Sequence, residues 1–518
     1  MKKRHICLMV CLLCATAIAV LGFILRKDSP PPRNYTKVGR TAEIRPDYTG
    51  IVIPPNIAPL NFLVLEPGER YLVKIYSAAG DGFTVSGRKG KIKIPAKKWK
   101  SLLEKNRGNE LFFDIYVKAP DGRWGLYDSV INIIAKEDID AYITYRLMTP
   151  SSYYPKKMGV YQQNLENCDR RVVLHGNMYG NGCINCHTFV NNNADKMLIG
   201  VRSQDYGDGT LLVNKGRVSK IGKQFGYTCW HPSGRLAACS INGVRQFFHL
   251  ARQEIHDVID IDSGIVYYLV DSQTVKTTTA LSDRDKLETY PAWTPDGKYL
   301  YFCSAPILWQ DHNQVKPEYH NKIKYDLRRV SYDIQTDKWG RPETVLSADT
   351  TGLSILLPRI SPNGRFLLFC MCEYGCFPVY QPSSDLYMMN LETGQYKKLD
   401  INSEYSESWH SWSSNSRWIA FSSKRQGGLF TKIYLSYVDE NGKAYKPFVM
   451  PQKDPEFYDA LFKVYSIPEL TTGPIKIDPR ALSRAACGPQ KIDVDLPITT
   501  ATPVAGAEKS HPWQDAHQ

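Results

Sequence analysis

Cysteine is sparse, 13 in 518 residues, which excludes a small disulfide-built scaffold. Long helical runs are few. With 32 Tyr, 32 Pro and 36 Gly, the composition points to an all-β chain. The familiar catalytic signatures are missing. There is no G-x-S-x-G, no H-E-x-x-H, no phosphate loop and no dinucleotide fingerprint. Asp205-Tyr206-Gly207-Asp208-Gly209 lacks the rest of a calcium ligand set and reads as a turn. An acidic excess is also missing: 65 Lys and Arg against 52 Asp and Glu leave a net charge of +13, which favours an anionic partner or surface. Hydrophobic residues at 43% and charged residues at 23% describe an ordinary folded protein rather than a disordered one.

The chain opens Met1-Lys2-Lys3-Arg4-His5 and continues from Ile6 to Leu25 without a charge. Twenty residues at about 1.5 Å each span a hydrocarbon core. The early cations hold the N-terminus inside and the body outside. Residues 1–27 are therefore expected to anchor the chain on the periplasmic side of a bacterial inner membrane; a cleaved signal leaving a soluble periplasmic protein is the alternative. Residues 28–44, with Pro30-Pro31-Pro32, read as a stiff linker. Residues 45–150 alternate short apolar runs with turn signals such as Pro67-Gly68 and Asp121-Gly122, and are expected to form a small β-sandwich with one short helix at 96–104. Between 88 and 107 stand nine basic side chains and one acid, Glu104. This is either a solvated face or a dock for anionic headgroups or an acidic protein. An exported segment meets no nucleic acid.

From 151 to 467 a unit recurs: an aromatic or aliphatic residue, a tight turn, a cation and a buried strand. Trp230 precedes His231-Pro232-Ser233-Gly234-Arg235, Trp293 precedes Thr294-Pro295-Asp296-Gly297-Lys298, Ile360 precedes Ser361-Pro362-Asn363-Gly364-Arg365, and Trp412 precedes Ser413-Ser414-Asn415-Ser416-Arg417. The steps of 63, 67 and 52 residues suit propeller blades better than an even solenoid. A fifth unit begins at Phe189. The expectation is a five- or six-bladed β-propeller, followed by a loosely ordered tail over 468–518.

Cys183-Ile184-Asn185-Cys186-His187 is a C-x-x-C-H motif. In an exported chain it reads as covalent attachment of a single haem c, with Cys183 and Cys186 meeting the vinyl groups and His187 as proximal iron ligand. No second C-x-x-C supports a zinc site and no βαβ pattern supports a redox dithiol. His187 lies two residues before Phe189, and His410 lies two before Trp412. His410 is thus the candidate distal ligand, if ring closure brings the last blade beside the first. Met178 is the main alternative, with His175 and Met197 as further rivals, and an open sixth site remains a separate possibility. His231, His249 and His256 read as blade-surface histidines. Cys303 and Cys370 read as core thiols, and Cys372 or Cys376 is open to a disulfide.

These residues carry a resemblance. Trp293 to Leu300 resembles the repeat of TolB-type, WD-like propellers. More closely, residues 45–470 resemble exported propeller proteins of Bacteroidetes-type bacteria, whose first blade holds C-x-x-C-H-[ST]-F, as Cys183 to Phe189 do here. Such proteins are often labelled for cytochrome c biosynthesis. The resemblance implies an envelope location and haem, with no reaction attached. The first functional expectation is a membrane-anchored periplasmic monohaem cytochrome that transfers electrons, with the propeller and basic patch docking a redox or envelope protein. The others are a peroxidase-like enzyme with an open sixth site, and a TolB-like scaffold with structural haem.

Overall fold

The computed structural model describes residues 30–149, 157–248, 254, 256–311 and 315–498. The expected membrane segment, His249 and the last twenty residues of the tail lie outside these. The chain forms two compact units. One holds the chain up to Gly50 with Pro59–Ile134 and Gln452–Phe457; the other holds Ile51–Ala58, Ala135–Pro451 and the chain from Tyr458.

In the first unit, strand Arg70–Ser77 pairs with Gly82–Gly87 and Glu110–Lys118, and the latter continues to Trp124–Asp128 and Val130–Ile134. Thr36–Thr41 adds in parallel to Trp124–Asp128. Alternation decides which face is covered: Leu111, Phe113 and Ile115 are buried on one side of their strand. Against Phe113 pack Phe62, from the small sheet Ile44–Arg45, Phe62–Val64 and Lys91–Ile92, and Trp99 of helix Ala96–Lys105. The helix buries Trp99, Leu102 and Leu103, one stripe at helical spacing. The result is two layers, with a helix sharing the thinner one.

The second unit is a β-propeller. Among the described residues, six antiparallel sheets follow one another. The second holds Cys183–Val190, Asn193–Arg202, Gly209–Asn214 and Arg217–Ile221; the third to sixth begin at Thr228–Trp230, Lys286–Trp293, Ser354–Ile360 and Glu407–Trp412. The first is composite: Tyr142–Met148, Gly159–Asn164 and Arg170–His175 take their inner strand from the far end of the chain, Val464–Thr471. Each inner strand touches the next in order, and Val464–Thr471 closes the cycle between the sixth and second sheets. Two boundaries differ from expectation. The strand Tyr142–Met148, read as sandwich, belongs to the propeller, because its apolar face pairs with a segment over 300 residues away that no local pattern reveals. Residues from 468 onward are not a loose tail through 498. They complete that strand and a docked helix, Pro479–Cys487, capped by Asp478 and burying Leu482 and Ala486.

The repeated turn has a physical basis. In the fourth sheet Thr294 Oγ1 donates to Asp296 Oδ1 at 2.6 Å, the same carboxylate oxygen accepts from the Lys298 amide at 3.0 Å, and Gly297 sits at φ +71. Ser361, Asn363 and Gly364 repeat this in the fifth sheet. The side chains substitute for missing backbone partners, and the left-handed position favours glycine. Three bulged inner strands carry left-handed residues at Tyr290, Leu357 and Trp409, and Ile467 takes the same place in the closing strand. The bulges turn these side chains out of strand alternation. Between sheets, apolar residues such as Val160, Ile184, Met197 and Leu482 form the core.

Candidate functional site

The C-x-x-C-H motif lies within strand Cys183–Val190, the inner strand of the second sheet. His187 is 1% exposed. Its Nε2 donates to the Thr144 carbonyl of the first sheet at 3.3 Å, and its Nδ1 is buried with no partner. Burial, only partly offset by that bond, lowers the imidazole pKa to about 3. Cys186 lies in the electrostatic neighbourhood of Tyr227 in the third sheet, and burial raises its thiol pKa. Cys183 is buried beside Tyr179, whose hydroxyl donates to the Cys183 carbonyl.

Haem attachment requires both thiols and the imidazole to reach one macrocycle. Here Cys183, Cys186 and His187 share one inner strand, and His187 is bonded across to the first sheet. The large cavity nearby is lined by Thr188 and Phe189, with none of the three motif side chains. Among the described residues no group of three or more His, Cys, Asp or Glu could hold a metal ion.

The distal candidates also lie apart. His410 does share the blade position of His187, but it stands in the sixth sheet, and the closing strand Val464–Thr471 separates the two. Its Nε2 donates to the Leu368 carbonyl at 3.0 Å, and its Nδ1 meets the Cys370 thiol at 3.7 Å. The expected pairing across one iron fails because the ring closes through the composite first sheet. Met178 ends a short turn whose last carbonyl accepts from Ser483 and Cys487 of the C-terminal helix. His175 is bonded to Asn177, and Met197 is core. His231 bridges Ser233 and the Gly297 carbonyl, and His256 meets Gln246. Cys303, Cys370, Cys372 and Cys376 are buried free thiols.

The structure assembles a different site, at one mouth of the central channel. A well of about 400 Å³ opens there. The inner strands place equivalent residues into it: Thr188, Cys229, Arg359, Ser411 and Glu469, each one residue before the repeat's leading aromatic or aliphatic. Trp230, Trp293 and Trp412 flank the well, and Pro232, Pro295 and Pro362 stand in its lining at the turns. Two residues earlier along the strands lie Tyr227, Tyr290, Leu357 and Trp409. Tyr227 packs on Tyr290 at 4.2 Å and on Trp409 at 5.7 Å, and the Tyr290 hydroxyl donates to the Cys376 carbonyl at 2.6 Å. The three aromatic rings pack together across the third, fourth and sixth sheets.

One ion pair dominates the well. Arg359 Nη2 lies 3.2 Å from Glu469 Oε1. Burial raises the Glu469 carboxyl to about 7, against the lowering effect of Arg359. Near neutral pH the acid therefore passes between partner and neutral donor, and the well passes between charge-balanced and cationic. Such a well can hold a polar or anionic group beside Arg359 while an apolar body rests against tryptophan and proline. Burial raises the Cys229 thiol, so it is not a ready nucleophile. Arg359, Glu469 and Cys229 were not singled out from sequence. The repeat contained the signal, because each directly precedes its leader.

No family model matches the chain, and no curated protein matches it. Solved structures of similar fold include TolB from Acinetobacter baumannii, at TM-score 0.41 and 14% identity over 73% of this chain and 85% of that one. The hydrazine synthase of Kuenenia stuttgartiensis gives TM-score 0.39 and 11% identity over 64% of this chain and 47% of that one. An oligogalacturonate lyase from Vibrio parahaemolyticus gives 0.32 and 13% over 64% and 88%. These likenesses concern fold only, and the propeller assignment rests on the cyclic order of the sheets.

Proposed function

We propose that this chain is a six-bladed, TolB-like β-propeller, tethered outside a bacterial inner membrane by its N-terminal segment, and that it acts as a docking protein whose binding site is the channel mouth. One observation carries the reading: five inner strands bring the same repeat position into one well, and two of those positions hold the Arg359–Glu469 pair. The raised thiol at Cys229 favours binding over turnover. The occupant proposed is a segment of an envelope protein that brings a carboxylate to Arg359 and an apolar side chain to the tryptophans. The test is selection of displayed peptides on the intact protein. Enriched sequences should carry an acid, and Arg359→Gln should weaken them at least about tenfold, roughly 1.4 kcal/mol. Enriched peptides indifferent to Arg359→Gln would overturn the proposal.

A second reading keeps the monohaem cytochrome. It is favoured by the C-x-x-C-H spacing and by the unpartnered, buried Nδ1 of His187. A pyridine haemochrome of the exported protein, with Cys183→Ala as control, decides between the readings. Covalent haem restores the cytochrome, and its absence removes it.

A further inference from the structure

Ser411 lines the well and is only 8% exposed, and its Oγ is buried without a hydrogen-bond partner. A buried hydroxyl left unpaired costs stability, and folded proteins keep few of them. Packing gives no reason to keep this one. In the fourth sheet the same repeat position, one residue before Trp293, is Ala292, which is fully accommodated at 2% exposed. An alanine at 411 would fill the same place and leave no polar atom stranded.

The position of Ser411 in the ring supplies the reason. Arg359 belongs to the inner strand of the fifth sheet, Ser411 to that of the sixth, and Glu469 to the closing strand of the first. The ion pair therefore spans the sixth inner strand, and Ser411 stands between its two members in ring order. Glu469 engages Arg359 through Nη2, whereas a guanidinium offers five N–H donors in a planar fork.

The rest of the lining is also rich in donors. The indole Nε1 atoms of Trp230 and Trp293 are buried without partners, whereas Trp412 Nε1 donates to the Arg359 carbonyl at 3.0 Å. A site whose spare capacity is donors suits a ligand that accepts. An ionised carboxylate only accepts, and it has room for a guanidinium and a hydroxyl at once. An amide of the same shape turns one of those acceptors into a donor and loses that match.

We infer that Ser411 is a specificity-determining residue of the well, its hydroxyl donating to the ligand carboxylate that Arg359 holds, so that the well takes a carboxylate in preference to the corresponding amide. This rests on the docking function proposed above and names the group that the site selects.

The test titrates the purified full chain with N-acetyl-L-phenylalanine and with its amide, followed by ligand-observed nuclear magnetic resonance. The wild type should bind the acid at least about tenfold more tightly than the amide. Ser411→Ala should weaken the acid at least about fivefold and change the amide less than about twofold. Its urea midpoint should equal or exceed that of the wild type, because the unpaired hydroxyl is gone. Equal losses for acid and amide, or a midpoint that falls along with binding, would assign the hydroxyl to the shape of the well or to an ordered water and overturn the inference. Unchanged affinity for the acid overturns it as well, as does the absence of saturable acid binding by the wild type. Arg359→Gln separates the two levels. Acid binding that depends on Arg359 but not on Ser411 removes this inference alone, and acid binding indifferent to Arg359 removes the docking reading with it.

Discussion

His187 and His410 make the same hydrogen bond in two different sheets: each Nε2 donates to a carbonyl on the second strand of the preceding sheet, Thr144 at 3.3 Å and Leu368 at 3.0 Å. A carbonyl only accepts, so both rings carry their proton on Nε2. Each histidine clamps one sheet to the next. His187→Ala and His410→Ala should each cost about 1–3 kcal/mol in urea unfolding, and the double variant should be additive within about 0.5 kcal/mol. Both imidazoles have pKa values lowered to about 3 by burial. The unfolded chain protonates them near 6.5, so their stabilisation is complete above that pH and is lost as pH falls towards 3. Acid sensitivity unchanged in both variants would refute the clamp.

Much of the propeller was legible. The turn at Trp293-Thr294-Pro295-Asp296-Gly297-Lys298 marks a blade because its hydroxyl, carboxylate and glycine are each required by the backbone. The matched positions of His187 and His410 were legible for the same reason. What lies between them was not. The first sheet borrows Val464–Thr471, and Leu470 takes the leader's place without a turn motif after it, so the ring gained a sheet that no repeat announced. The haem assignment came from residue spacing. Arg359 and Glu469 escaped notice because single charged residues inside apolar strands mean little until six strands converge on one axis.

Glu469 should make the well sensitive to pH. Its folded pKa is raised to about 7. An acid raised in this way contributes stability that is full below its unfolded pKa, about 4.3, and lost as pH rises through the folded value. The urea midpoint of the wild type relative to Glu469→Gln should therefore fall between about pH 5 and pH 8. The same variant leaves Arg359 uncompensated, so acid-bearing peptides should bind it more tightly at neutral pH. A constant difference in midpoint across that range would rule out the buried titration.

Closure of the ring depends on one late strand. Tyr142 pairs with Thr471 and Met148 with Val464 across the full length of the first sheet. A chain ending after residue 463 exposes the edge of Tyr142–Met148 and opens the cycle between the sixth and second sheets. It should lose its cooperative unfolding transition and near-ultraviolet circular dichroism. A peptide of residues 464–475, added in excess, should restore both by strand addition. A truncated chain that unfolds as cooperatively as the whole would show that closure contributes little.

Two glycines at the same turn position separate backbone strain from packing. Gly297 and Gly364 sit at φ +71 and +72. Around Gly364 an added Cβ meets nothing within 4 Å, so Gly364→Ala should cost only the left-handed penalty, about 1–2 kcal/mol. At Gly297 the Cβ would fall 2.2 Å from His231 Nε2. That ring has no room to yield freely: it donates to the Gly297 carbonyl at 3.2 Å and packs edge-on against Trp293 at 4.7 Å. Gly297→Ala must therefore displace a contact between the third and fourth sheets. It should cost about 2 kcal/mol more than Gly364→Ala in urea unfolding. His231→Ala in the same background should recover part of that excess by removing the clash. Equal costs at the two glycines would mean that the turn absorbs the methyl by backbone movement and that His231 does not fix the spacing of its neighbouring sheets.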